Sequence, residues 1–195
     1  SKRVPWAQLL ALANQHECTT LWYVRLKQHG LLSLVPADLG EYLAQLHHAN
    51  QKRNARLKAE LVTVLSILNQ RVIPVLALKG AARFVDDLYD DGGARMMRDI
   101  DLMIPQARIE EARELLKAEG YEDDPEDSRH EEPAPLNARH HHLPPVRHPK
   151  RGIDIELHYR AAYAHAGRVL DAEHAWQAAR QGELEGLPVH TLGTT

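Results

Sequence analysis

The chain has 195 residues, with 24 Lys and Arg against 27 Asp and Glu, 13 His and a single cysteine. That length buries one substantial core plus a small helical appendage and leaves no room for more than two domains. The mild acidic balance gives no general pull toward nucleic acid or an anionic membrane, and Cys18 alone rules out an internal disulfide framework or a multi-cysteine zinc site.

The longest apolar stretches, around Leu9–Ala13 and Val72–Leu78, are far too short to span a bilayer, and the N-terminus lacks a signal-peptide pattern. The expectation is a cytoplasmic protein with no membrane partner. From Pro5 to about Gln70 the pattern is helical. Trp6, Leu9, Leu10 and Ala13 recur at three- and four-residue spacing, and Leu21, Val24 and Leu26 precede a stop at Gly30. Pro36 and Asp38 open a longer helix whose apolar stripe runs through Leu39, Leu43, Leu46, Leu57, Leu61, Val64, Leu65 and Leu68. Lys52, Arg53, Arg56 and Lys58 form its polar middle and read as a solvated face, with a nucleic-acid contact as the alternative. Trp6, Trp22 and Trp176 sit among aliphatic neighbours and read as packing residues.

At Val72 the pattern changes. Val72, Ile73, Val75, Leu76 and Leu78 make a short buried strand ending at Lys79 and Gly80, and a second domain starts here. The expected division is a helical segment over 1–71 and a catalytic core over 72–195. Within the core, Ala81–Tyr89 reads as a helix, Asp90–Gly93 as a turn, Asp99–Ile104 as a strand, and Gln106–Glu119 as a periodic helix closed by Gly120. Glu122–Asn137 is acidic, proline-bearing and aperiodic, so it reads as a surface loop. Arg139–Val146 and Ile153–Tyr159 form a hairpin, Asp171–Arg180 a further helix and Leu187–Leu192 an extended tail.

Alternate residues of a strand share a face, so Asp99 and Asp101 point together while Ile100 and Leu102 point into the core. Two such carboxylates repel unless a cation lies between them, and hard oxygen donors suit Mg²⁺ or Mn²⁺. The later strand repeats the pattern: Asp154, Glu156 and His158 share one face. If the two strands are neighbours, a third carboxylate joins the first two and completes a two-metal clamp with cations roughly 4 Å apart. Such a cluster meets the demands of nucleotidyl transfer, in which a metal-bound triphosphate is held in line while charge builds on the departing pyrophosphate. Lys79 and Gly80, at a strand-to-helix turn, supply a phosphate cradle, and Arg95 is placed to reach a phosphate oxygen. His158 is placed near the phosphates or to orient a carboxylate. The run His140–His142 invites a zinc site, but alternation splits it between two faces, and a polar strand facing the cleft is the simpler reading.

The order strand, Lys79-Gly80, helix, Arg95, Asp99-x-Asp101, helix, and a later strand with Glu156-Leu157-His158 resembles the uncharacterised nucleotidyltransferase family of the DNA polymerase beta-like nucleotidyltransferase superfamily. The match is closest at Leu78-Lys79-Gly80-Ala81-Ala82 and Arg95-Met96-Met97-Arg98-Asp99-Ile100-Asp101-Leu102. The resemblance implies an α+β fold, a nucleotidyltransferase-type mixed sheet with flanking helices behind an N-terminal helical segment. It implies Asp99, Asp101 and Glu156 as catalytic metal ligands, with Asp154 the competing third acid, and Lys79 with Gly80 as the triphosphate cradle. Mg²⁺ or Mn²⁺ is the implied cofactor and a nucleoside triphosphate such as ATP the substrate; the acceptor, whether small molecule, protein or nucleic acid, is left open. Two features depart from the superfamily: Lys79-Gly80 replaces a Gly-Ser or Gly-Gly pair, and the third acid is Glu. The family continues into a C-terminal helical region whereas this chain stops at Thr195, which reads as a truncation or a natural short form. A catalytically inactive nucleotide-binding module and a metal-dependent phosphohydrolase are the alternatives.

Overall fold

A computed structural model describes residues 4–86, 91–123, 142–161 and 171–193. The chain divides into two units, Ser1–Arg56 with Tyr89–Met97, and Leu57–Leu88 with Arg98–Thr195. The division falls inside one long helix.

The first unit holds α1 (Trp6–Gln15), α2 (Thr19–Gln28), a 3₁₀ turn at Leu32–Leu34 and the opening of α3 (Ala37–Asn69). Trp6 and Trp22 stack at 6.3 Å, which ties α1 to α2. Gly30, at φ +68°, ends α2 and lets Leu31 N donate to Leu26 O at 2.8 Å. Lys52, Arg53 and Arg56 on α3 are exposed, as a solvated face requires. The inward face over the same stretch is polar: His47, Asn50 and Asn54 are buried in the interval between Leu43 and Leu57. These side chains bind the loop at residues 91–95. His47 Nε2 meets Asp91 Oδ1 at 2.7 Å, Asn50 donates to Gly93 O and Arg95 O, and Asn54 donates to Gly92 O and Arg95 O. Thr20, fully buried, adds a bond to Ala94 O.

The second unit is built on a seven-stranded mixed sheet in the order β3-β4-β5-β2-β1-β7-β6. The strands are β1 (Leu76–Ala77), β2 (Asp99–Met103), β3 (Glu122–Asp123), β4 (Val146–Arg147), β5 (Asp154–His158), β6 (Ala179–Leu184) and β7 (Leu187–Leu192). β2 pairs with β5 in parallel and β1 with β7 in parallel, while the other pairs are antiparallel. Leu57, Leu61, Val64, Leu65 and Leu68 of α3 supply one wall of the core, and Ile100, Leu102, Ile155 and Leu157 of the central strands are equally buried. Helix α5 (Ile109–Ala118) buries Ile109, Ala112 and Leu116 and contacts β5. Gly120 at φ +87° closes it, with Tyr121 N donating to Leu116 O. The short helices α4 (Arg83–Asp86) and α6 (Ala172–Gln177) complete the unit, and Trp176 packs beside the Leu76, Leu78, Met103 and Ala175 cluster. No helix of the described residues is long and apolar enough to cross a membrane.

Four local expectations need correction. The first strand is two residues long and not seven, because α3 ends in a turn with Val72 at φ +51° and 81% exposed, and Pro74 has no N–H for a ladder. The helix expected at Ala81 begins at Arg83, after turns closed by Ala82 N to Leu78 O and Arg83 N to Gly80 O; residues 87–90 lie outside the described set. The last helix stops at Gln177, and the segment assigned to its end becomes β6. Glu185 and Gly186, both at positive φ, form a two-residue hairpin that pairs Ala179–Leu184 with Leu187–Leu192. The acidic segment starts as strand β3, and the remainder of the expected loop, 124–137, is outside the described residues.

Candidate active site

Strand register assembles the cluster. The parallel pairing sets Asp99 opposite Asp154, Asp101 opposite Glu156 and Met103 opposite His158. Because side chains alternate, Asp99 and Asp101 share a sheet face with Asp154, Glu156 and His158, and the aliphatic partners Ile100, Leu102, Ile155 and Leu157 fill the opposite face.

Asp101 is the buried centre, 1% exposed. Its Oδ1 lies 2.5 Å from Lys79 Nζ and 2.9 Å from His158 Nε2, and His158 Nε2 is 3.3 Å from Glu156 Oε2. Ligand atoms of Asp101, Glu156 and His158 all fall within 4.8 Å of one another. Two carboxylates and an imidazole nitrogen at that spacing are a donor set that could hold a metal ion.

The ionisation of these groups follows from their neighbours. Burial pushes the Asp101 carboxyl up, but hydrogen bonds from His158 and Lys79 outweigh it and hold the group below the ordinary carboxylate range. The hydrogen bond from His158 lowers Glu156 against the opposing effect of burial, with help from the charge of His142. Asp99 moves the other way: burial raises it, and the charges of Asp101 and Glu156 raise it further, against a lowering by Lys79. For His158, burial lowers the imidazole, yet hydrogen bonds to Asp101 and Glu156 bring it above its usual value. Lys79 is raised too, its partial burial being outweighed by Asp101, Glu156 and Asp99. Three carboxylates thus surround one ammonium.

Lys79 follows β1 and has φ +43°, in the left-handed region that non-glycine residues seldom enter. Leu78 N is bonded to Asp101 O at 3.0 Å, so the turn that presents Lys79 is fixed to the acidic strand itself. Gly80 is buried, and the positive φ falls on Lys79 and not on the glycine. Asp154, the competing third acid, is held by Arg147 through bonds of 2.6 and 2.8 Å. Arg95 belongs to the first unit, where its exposed side chain borders a cavity of about 230 Å³ shared with His16, Cys18 and Leu21.

The sequence places His142 in a polar strand facing the cleft. His142 forms an isolated antiparallel bridge with His158, their rings 5.1 Å apart, and its Nδ1 lies 2.8 Å from Leu143 O. His140 and His141 lie outside the described residues. The alternation that sends His142 to the cleft face was the available signal.

A mixed sheet with flanking helices and an acidic face on its central parallel pair defines an α+β fold of the nucleotidyltransferase type. The chain belongs to the uncharacterised nucleotidyltransferase family, whose pattern matches residues 2–195. Among solved structures, the crystal structure of ANT(2")-Ia in complex with adenylyl-2"-tobramycin is similar at 15% identity and a TM-score of 0.47, covering 70% of this chain and 69% of that one. The solution structure of the antibiotic-resistance factor ANT(2'')-Ia is similar at 15% identity and the same TM-score of 0.47; the alignment covers 72% of this chain and 66% of that chain, just under two thirds of it. No curated protein matches the chain.

Proposed function

We propose that this chain is a metal-dependent nucleotidyltransferase that moves a nucleoside monophosphate from a triphosphate such as ATP to an acceptor hydroxyl or phosphate, releasing pyrophosphate. The observation that carries the reading is the convergence of Asp101, Glu156 and His158 to within 4.8 Å on two parallel strands, with Lys79 beside them. Family membership over residues 2–195 supports it independently.

In this reading Asp99, Asp101 and Glu156 hold the divalent cation, within a catalytic core running over 72–195. When bound, the cation neutralises the charge that develops on the triphosphate as pyrophosphate leaves. Arg147 occupies Asp154, which favours Glu156 as the third acid. His158, buried between Asp101 and Glu156, fixes both carboxylates in orientation. Lys79, with the Gly80 backbone, binds the triphosphate. A carboxylate of this face, or a hydroxyl activated by the cation, would accept the acceptor's proton.

The test is product analysis with Mn²⁺, each of the four common triphosphates and a panel of hydroxyl-bearing acceptors. Pyrophosphate and a nucleotidylated acceptor are expected. Release of inorganic phosphate would point to the phosphohydrolase, and triphosphate binding with no product of either kind to an inactive nucleotide-binding module.

A further inference from the structure

Asp101 Oδ1 is used twice: it accepts from Lys79 at 2.5 Å and from His158 at 2.9 Å. A carboxylate oxygen has two lone pairs in its plane, so both are taken. The two donors differ in freedom. His158 has a fully buried side chain and is also held near Glu156 at 3.3 Å, whereas the Lys79 side chain is 51% exposed at the end of a flexible stem.

We infer that Lys79 is the resident counter-cation of Asp101 and that a divalent cation and Lys79 compete for the same carboxylate, so that metal entry releases the ammonium to bind the triphosphate. The inference rests on the proposed metal site and deepens it by making metal and triphosphate binding interdependent. With no metal, the buried Asp101 carboxylate stays neutralised by Lys79. With a cation in place, the charge of the acids around Lys79 is largely neutralised, and the displaced ammonium at the Lys79-Gly80 turn is available to the incoming phosphate. Metal alone must then work against Lys79, while the metal–triphosphate complex is assisted by it. This predicts a change of sign: removing the ammonium favours one ligand and disfavours the other.

The experiment measures, by calorimetry, the affinity for Mn²⁺ alone and for the preformed complex of Mn²⁺ with inorganic tripolyphosphate. Wild type, Lys79→Met, Lys79→Gln and Asp101→Asn are compared, with thermal melts to verify folding. Both Lys79 variants should bind Mn²⁺ alone about fivefold or more tighter than wild type, and the Mn²⁺–tripolyphosphate complex about fivefold or more weaker, the low end of coupling between linked sites. Unchanged or weaker Mn²⁺ affinity in folded Lys79 variants would overturn the inference. Tighter binding of both ligands would overturn it as well, because Lys79 would then remain on Asp101 in the loaded site. Asp101→Asn separates the two levels: wild-type Mn²⁺ affinity in that variant removes the metal site and the inference together, whereas its loss alongside unaltered Lys79 variants removes the inference alone.

Discussion

Asp101 and Glu156 stand directly opposite each other on the parallel strands β2 and β5, and His158 Nε2 reaches toward both. Two facing carboxylates on a sheet destabilise each other unless positive charge lies between them. The pairing is therefore stable only because Lys79, His158 or a bound cation is present. Asp101→Asn and Glu156→Gln each remove one of the proposed metal ligands while keeping side-chain shape. Both should lower kcat/KM for nucleotidyl transfer by about a hundredfold or more, at or beyond the upper end of losses seen for outer-shell partners of metal ligands. Asp154→Asn, which breaks a partly exposed pair with Arg147, should change it by less than about fivefold. Steady-state kinetics on the three variants separates the roles, and a large loss confined to Asp154→Asn would exchange the two acids.

A second expectation concerns pH and stability. Asp123 on β3 is bonded to Arg113 at 2.6 Å and Lys117 at 2.8 Å, both on α5. Burial raises its carboxyl, but the hydrogen bonds from Lys117 and Arg113 outweigh that and lower it. A carboxyl depressed in the folded state contributes stability that is fully present above its unfolded pKa and is lost as pH falls through the folded value. Asp123→Asn should thus lower Tm at pH 7 by about 1–3 °C, in keeping with a largely solvated pair in a chain of this size. The difference from wild type should shrink once pH drops below the ordinary Asp range. Parallel melting curves from pH 7 to pH 3 check this, and a gap that stays constant with pH would assign the cost to something other than charge.

The face-sharing of the acids was legible because a strand's period of two is written directly into Asp99-Ile-Asp101 and Asp154-Ile-Glu156-Leu-His158. Their parallel adjacency was not, since fifty residues separate the strands and nothing local specifies which strands pair. Lys79 was visible as a cation at a strand end, yet its attachment to Asp101 depends on a positive φ that favours glycine and so gives no sign in a lysine. β6 was hidden because Ala-Arg-Gln-Gly-Glu-Leu lacks alternation, and its pairing comes from the Glu185-Gly186 turn. The polar middle of α3 was read only from its charged side. Asn50 and Asn54 occupy the inward face there because loop carbonyls, and not aliphatic groups, lie against it.

That loop yields a third prediction. A Cβ placed on Gly93 would lie 2.6 Å from His47 Nε2 and 2.7 Å from Gln51 Cγ. Neither is open space, and His47 is itself held by Asp91 at 2.7 Å. Gly93→Ala must push the loop off α3 or turn His47 away from Asp91. Forcing a methyl into a packed site costs about 1–3 kcal/mol, which corresponds to a Tm lower by about 2–12 °C. Gly92→Ala, where nothing lies within 4 Å, should change Tm far less. Equal losses in the two variants would show that backbone freedom, and not the contact with His47, makes glycine necessary at position 93.

The last prediction turns on a carboxylate remote in sequence from the acidic strands. Glu60 of α3 is 2% exposed; one oxygen accepts from Tyr121 Oη at 2.6 Å and the other meets Arg151 Nε at 2.7 Å. Arg151 also lies 5.0 Å over the Tyr121 ring. Burial and the neighbouring Glu60 raise the Tyr121 phenol well above its ordinary value, so the group stays protonated and donating throughout the usable pH range. Tyr121→Phe removes the donor and leaves a buried carboxylate oxygen without it, at a cost of about 1–3 kcal/mol. Glu60→Leu removes the charge as well and takes away the acceptor of the Tyr121 hydroxyl. If the network's worth lies mainly in satisfying Glu60, the double variant Glu60→Leu with Tyr121→Phe will be less destabilised than the sum of the single variants. Urea unfolding of the three proteins measures that coupling directly, and strict additivity would mean that the hydrogen bond contributes nothing beyond the packing of the two side chains.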